Sequence, residues 1–116
     1  MVPQDRRRFP RLKAGLPVEF RRLAEPGQQL AGSLSRDMSA GGIQLRTSNF
    51  LPRDSRLVVL FSPPGVGRQL RAVARVGWTR ERSLGELFDC GLEFVEISSQ
   101  DREAIAGLVE RGAVLA

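Results

Sequence analysis

Two short stretches of this 116-residue chain carry residue types suited to binding chemistry. The first, Asp5-Arg6-Arg7-Arg8-Phe9-Pro10-Arg11, sets four arginines within six positions. Clustered like charges cost stability unless an anion joins them, and a guanidinium fork binds phosphate oxygens or the O6 and N7 edge of guanine bidentately. Pro10 pushes Phe9 away from the α region, so the stretch is expected to be extended, and residues four apart then face one way roughly 13 Å apart at strand rise. Arg7 and Arg11 could thus grip two separated points of one ligand. The second stretch, Arg36-Asp37-Met38-Ser39-Ala40-Gly41-Gly42-Ile43, falls where one apparent strand gives way to a turn and another begins. Asp and Ser hydrogen-bond local backbone in such turns, and two adjacent glycines permit positive φ and leave the backbone bare to a flat ligand. An ionised Asp37 only accepts hydrogen bonds, which matches the paired donors of a guanine Watson–Crick edge, while Ser39 donates or accepts. Taken singly, each stretch also has a plainer reading: a solvated basic tail, and an Asx-type turn that serves the fold.

Composition narrows the chemistry further. Lys and Arg number 18 against 13 Asp and Glu, a net charge of +5 and a pI near 11.1 that point toward anionic partners. Lys13 is the single lysine, so the cationic sites are planar forks. The chain has no histidine, which excludes imidazole bases and His-ligated metals, and its one cysteine forms neither an internal disulfide nor a thiolate cage. Cys90 falls in the apolar alternation Cys90, Leu92, Phe94 and is expected in the core. No nucleophile, base and oxyanion constellation appears, so the chain does not read as an enzyme, and no cofactor or metal is expected. The longest apolar run, Leu57 to Phe61, falls far short of the roughly 20 residues of a membrane span. A cytoplasmic protein without membrane insertion is the expectation.

The elements that must position these residues are short strands. Residues 1–13 form a polar, basic, proline-interrupted arm, expected to be flexible, and the core is expected within 14–116. Leu16, Val18 and Phe20 alternate, then Leu30, Gly32 and Leu34, then Ile43 and Leu45. Leu57 to Phe61 follows, and after a Pro-Pro-Gly turn a long strand sets Leu70, Ala72, Ala74, Val76 and Trp78 on one face. Trp78 is therefore expected in the core, at most edging a ligand floor. A last strand covers about Phe88 to Ile97. Strands of this kind suggest a small antiparallel barrel, since closure leaves few exposed edges. Ser98 and Asp101 then resemble a capping box ahead of Ile105, Leu108 and Val109, which predicts one helix over about 99–111.

Together the two stretches resemble the PilZ domain family. That family carries an R-x-x-x-R arm, matched by Arg7 and Arg11, and 20 to 30 residues later a D/N-x-S-x-x-G turn, matched by Asp37, Ser39 and Gly42 after an interval of 26. Arg75-Val76-Gly77-Trp78 and Cys90-Gly91-Leu92-Glu93-Phe94 also look like the family's fifth and sixth strands. The resemblance implies a mainly β fold, a six-stranded antiparallel barrel of Greek-key type with a C-terminal helix, and a receptor for the second messenger cyclic di-GMP. It implies Arg7 and Arg11 on phosphates and Hoogsteen edges, Asp37 and Ser39 on the opposite guanine edge, and close backbone approach at Gly42. Arg6, Arg8 and Gly41 are secondary candidates and Trp78 a weak one, with one or two ligand molecules per domain. The ligand is expected to order the arm onto the barrel and alter a surface read by a downstream protein, the chain being a monomer or weak dimer. A ligand-independent adaptor of the same family and a non-specific nucleic-acid binder are the competing readings.

Overall fold

Alternating apolar and polar residues between glycine and proline turns become antiparallel strands once one face finds a core. In the computed structural model, described for residues 12–13, 16–63 and 65–115 and for side chains of residues 16–63 and 65–110, seven strand segments precede one helix. They are β1 Leu12–Lys13, β2 Pro17–Arg22, β3 Ala31–Ser39, β4 Gly42–Thr47, β5 Arg56–Phe61, β6 Leu70–Ser83, β7 Leu87–Ile97 and α1 Ser99–Leu115. β1 and β2 run in succession along one edge of β3, Leu12 opposite Met38 and Pro17 opposite Leu34. Between them, the Ser35 N–H donates to the Leu16 carbonyl at 2.8 Å and the Leu16 N–H to Ser35 Oγ at 3.1 Å. The seven segments thus make a six-stranded ring, β2-β3-β4-β7-β6-β5, closed by the pairing of β5 with β2. β5, β6 and β7 follow as hairpins, and β4 lies beside β7 after a long connection to β5, which is a Greek key.

The ring encloses Val18, Phe20, Leu45, Leu57, Leu70 and Cys90, all buried. Burial raises the pKa of the Cys90 thiol, as befits a plain hydrophobe. Ile105 and Val109 of α1 are buried in the same core, so the helix covers one end of the barrel. Its start follows the expected cap: Ser98 Oγ accepts from the Asp101 N–H at 3.0 Å. The helix runs on through Gly112 to Leu115 rather than stopping near 111. A helix-interior glycine costs only about 1 kcal/mol, too little to end a helix by itself.

Two faces differ from the sequence pattern. Leu34 is 55% exposed, and the inward residue beside it is Ser35; the Leu30, Gly32, Leu34 alternation lies on the solvent side. Trp78 leaves the core because Val76 pairs with Leu92 while Trp78 pairs with Gly91, a bulge that inserts Gly77 and reverses the parity of β6. Its side chain is outside the barrel, 39% exposed.

Candidate functional site

The β3–β4 hairpin closes through Ala40-Gly41, with Ser39 paired to Gly42. Ser39 Oγ accepts from the Gly41 N–H at 3.1 Å, which shapes the bend and leaves the hydroxyl its own hydrogen to donate. The Gly41 carbonyl accepts from the Phe94 N–H at 2.9 Å, tying the bend to β7. Neither glycine adopts positive φ; among the described residues the glycines that do are Gly65, Gly67 and Gly85. Gly42 has a packing constraint of its own, because a Cβ there would lie 2.2 Å from the backbone oxygen of Leu92.

Outside the barrel, strand register sets Asp37, Gln44, Gly91 and Trp78 in one row across β3, β4, β7 and β6. They line a cleft of about 570 Å³ together with Ser39, Gly41, Gly42, Glu93 and Arg102. Trp78 lies over the bare backbone of Gly91: a Cβ on Gly91 would sit 2.0 Å from the indole Nε1. The Arg80 guanidinium is 5.7 Å from the Trp78 ring centroid, a cation–π distance that steadies the ring from the solvent side. Glu93 is held at 3.3 Å by Arg75, which also reaches Asp54 at 2.8 Å. Among the described residues, the ionisable groups lining the cleft are two carboxylates, Asp37 and Glu93, and one guanidinium, Arg102. The wall therefore offers an aromatic plane, hydrogen-bond acceptors and few cations.

Beyond this row on the same wall, the buried carboxylate of Asp89 meets three arginines from three strands. Arg46 Nε is at 2.9 Å, Arg82 Nε at 3.4 Å and Arg36 Nη1 at 3.5 Å. The hydrogen bond from Arg46, with the charges of all three guanidiniums, holds the Asp89 carboxyl below the usual range against the opposing effect of burial. At the helix start, burial pushes Asp101 up, and the Arg68 guanidinium, the Arg71 N–H and the Ser98 cap outweigh it, so its pKa is also lowered.

Asp37, Ser39, Gly41, Gly42 and Trp78 all come together at the cleft. Arg6, Arg7, Arg8 and Arg11 lie outside the described residues. The described chain nearest to them is β1, where Leu12 pairs with Met38 and Lys13 with Asp37. The sequence did not point to Gln44, Gly91, Glu93 or Arg102. Gly77 and Gly91 around a lone tryptophan were a usable signal for the β6 and β7 part of the floor; Arg102 had none, because only the docking of α1 brings it to the cleft. Among the described residues no cluster of His, Cys, Asp and Glu could hold a metal ion, and no helix is long and apolar enough to cross a membrane.

No curated protein sequence matches this chain. Solved structures do. The inhibitor of motility of Bacillus subtilis (MotI/DgrA) superposes with a TM-score of 0.83 at 23% identity over 97% of this chain and 53% of that one, so the chain spans about half its length. The PilZ domain of YcgR from Escherichia coli, solved with c-di-GMP, gives 0.69 at 18% identity over 94% and 95%. The MrkH–c-di-GMP complex of K. pneumonia gives 0.72 at 17% identity over 97% and 54%. At these identities the likeness establishes the shared barrel. The family model for the PilZ domain matches residues 5–111, nearly the whole sequence. This chain belongs to the PilZ domain family.

Proposed function

We propose that this chain is a cyclic di-GMP receptor that binds the dinucleotide between the Asp37–Gly42 bend and the arginine arm, without catalysing a reaction. The observation that carries this is the register of β1, with Lys13 beside Asp37 and Leu12 beside Met38. Arg11 is one peptide bond from Leu12, about 3.8 Å between Cα atoms, and Arg7 is at most about 17 Å from Leu12 along the chain. A tether of that length would let both arginines reach the cleft. Charge supports the same pairing. A ligand with two phosphates gains little from a wall with two carboxylates and one guanidinium, and the arm supplies four more guanidiniums. Asp37 and Ser39 would take one guanine edge, Arg7 and Arg11 the phosphates and the Hoogsteen edge, and Trp78 the face of a base.

Ligand would draw the arm onto the wall and so change the surface that a partner protein meets. Arg6 and Arg8 supply further guanidinium planes, which suits two intercalated ligand molecules per domain. Titration of cyclic di-GMP by calorimetry tests the reading on the wild type and on Arg7→Ala, Arg11→Ala and Asp37→Ala. Heat in the wild type and at least a tenfold weaker affinity in each variant are expected. No heat and no thermal shift in the wild type would leave a ligand-independent adaptor; a stoichiometry near one would remove the second ligand molecule alone.

A further inference from the structure

The arginines around Asp89 are more numerous than that residue needs. Asp89 can neutralise only one of the three guanidinium charges within 3.5 Å of it, on a wall outside the cleft. The three come from β3, β4 and β6 and converge on a carboxylate that is itself buried, Arg46 by hydrogen bonds and Arg36 and Arg82, nearly half exposed, at ion-pair distance. Guanidiniums gathered in this way lose less freedom when they meet an anion. Apolar groups flank them. Leu34, opposite Arg46 across the β3–β4 pair, is 55% exposed, and Leu84, at the tip of the hairpin that carries Arg82, is 97% exposed at a φ of 39°. A leucine at positive φ is strained and gains nothing for the free fold from an exposed side chain.

We propose that the wall bearing Leu34, Arg36, Arg46, Arg82 and Leu84 is a docking surface for an acidic segment of a partner protein, one that presents carboxylates beside an apolar side chain. Paired charge and apolar contact select a protein over a nucleic acid. Leucines offer nothing to a phosphate backbone, and the exposed Glu81 and Glu86 on the same hairpin repel a polyanion but tolerate a short peptide that places its acids on Arg36, Arg46 and Arg82. Docking there does not require the cleft to be filled, so it stands or falls separately from cyclic di-GMP binding.

The test is selection of a random phage-displayed peptide library on the wild-type protein, followed by calorimetry of the enriched peptides. Enriched sequences should place Asp or Glu beside Leu, Ile or Phe and bind more weakly as salt rises. Affinity should fall about tenfold or more in Arg36→Gln/Arg82→Gln, whose melting curve serves as the fold control. Leu84→Gly should weaken the same peptides while keeping or raising the melting temperature, since glycine relieves the strained φ. Peptides without acidic residues, or peptides that bind both variants as well as wild type, would overturn the assignment. So would a DNA duplex that binds this wall more tightly than any peptide, or self-association by sedimentation that the same substitutions abolish.

Discussion

Replacing Gly42 by alanine separates two reasons for a glycine at the end of the D-x-S-x-x-G turn. If the residue were there to let a ligand approach bare backbone, alanine would weaken binding and leave the fold intact. The structure gives it a packing duty of its own: the new Cβ would be 2.2 Å from the Leu92 backbone oxygen, against about 3.4 Å for ordinary contact. A backbone oxygen of the paired strand β7 cannot swing aside as a side chain can, so β4 and β7 must part by about 1.2 Å at the Gly42–Glu93 pair. Overpacking of this kind costs about 1–3 kcal/mol, and the ladder bonds it loosens add about 1 kcal/mol. With an unfolding entropy near 2.1 cal/mol/K per residue, a loss of about 2–4 kcal/mol lowers the melting temperature of this chain by about 8–16 °C. Thermal unfolding followed by far-ultraviolet circular dichroism reads that shift. A melting temperature within about 3 °C of wild type, with cyclic di-GMP binding lost, would refute the packing argument and return Gly42 to the ligand.

Three further outcomes follow from the same contacts. Asp89→Asn removes the charge shared by Arg36, Arg46 and Arg82 and should cost about 1–2 kcal/mol at neutral pH, or about 4–8 °C in melting temperature; no change would mean the cluster is solvated ornament. Because Asp89 and Asp101 have lowered folded-state pKa values, their stabilisation is complete above the ordinary carboxylate range near 4 and is lost as pH falls below it through the folded values. Wild-type melting should therefore drop steeply below about pH 4 and the gap to Asp89→Asn should narrow there; a gap that widens on acidification would contradict this. Trp78 is the only tryptophan and the chain has no tyrosine, so intrinsic fluorescence reports the cleft floor alone. Gly91→Ala should shift that emission to longer wavelength by displacing the indole and weaken cyclic di-GMP binding, whereas unchanged emission would place the ring elsewhere.

The barrel and its helix were legible because strand alternation, turn residues and a serine cap act locally, and each predicted strand matches an observed one. What was hidden depends on partners distant in sequence. Trp78 continues a perfect alternation, and only the register of β6 against β7 shows that Gly77 is an extra residue and that the indole faces out. Leu34 looks like a core residue, yet Ser35 takes the inward position, where its hydroxyl receives the Leu16 N–H. The bend at Asp37 to Gly42 was found from its residue types, but neither glycine uses positive φ, and the packing constraint on Gly42 comes from Leu92 across the sheet. The pairing of Lys13 with Asp37, which sets β1 beside the bend, had no sequence signal, since a strand of two residues has no period. Arg102 reached the cleft through the docking of α1, a tertiary event.

The most direct test of a shared grip is nuclear Overhauser contact between unlabelled cyclic di-GMP and isotope-labelled protein. Guanine protons should show contacts both to the bend from Asp37 to Gly42 and to the arginine side chains of Arg7 and Arg11 in one saturated complex. Contacts to the bend with none to either arginine, or to the arm with none to the bend, would contradict the account.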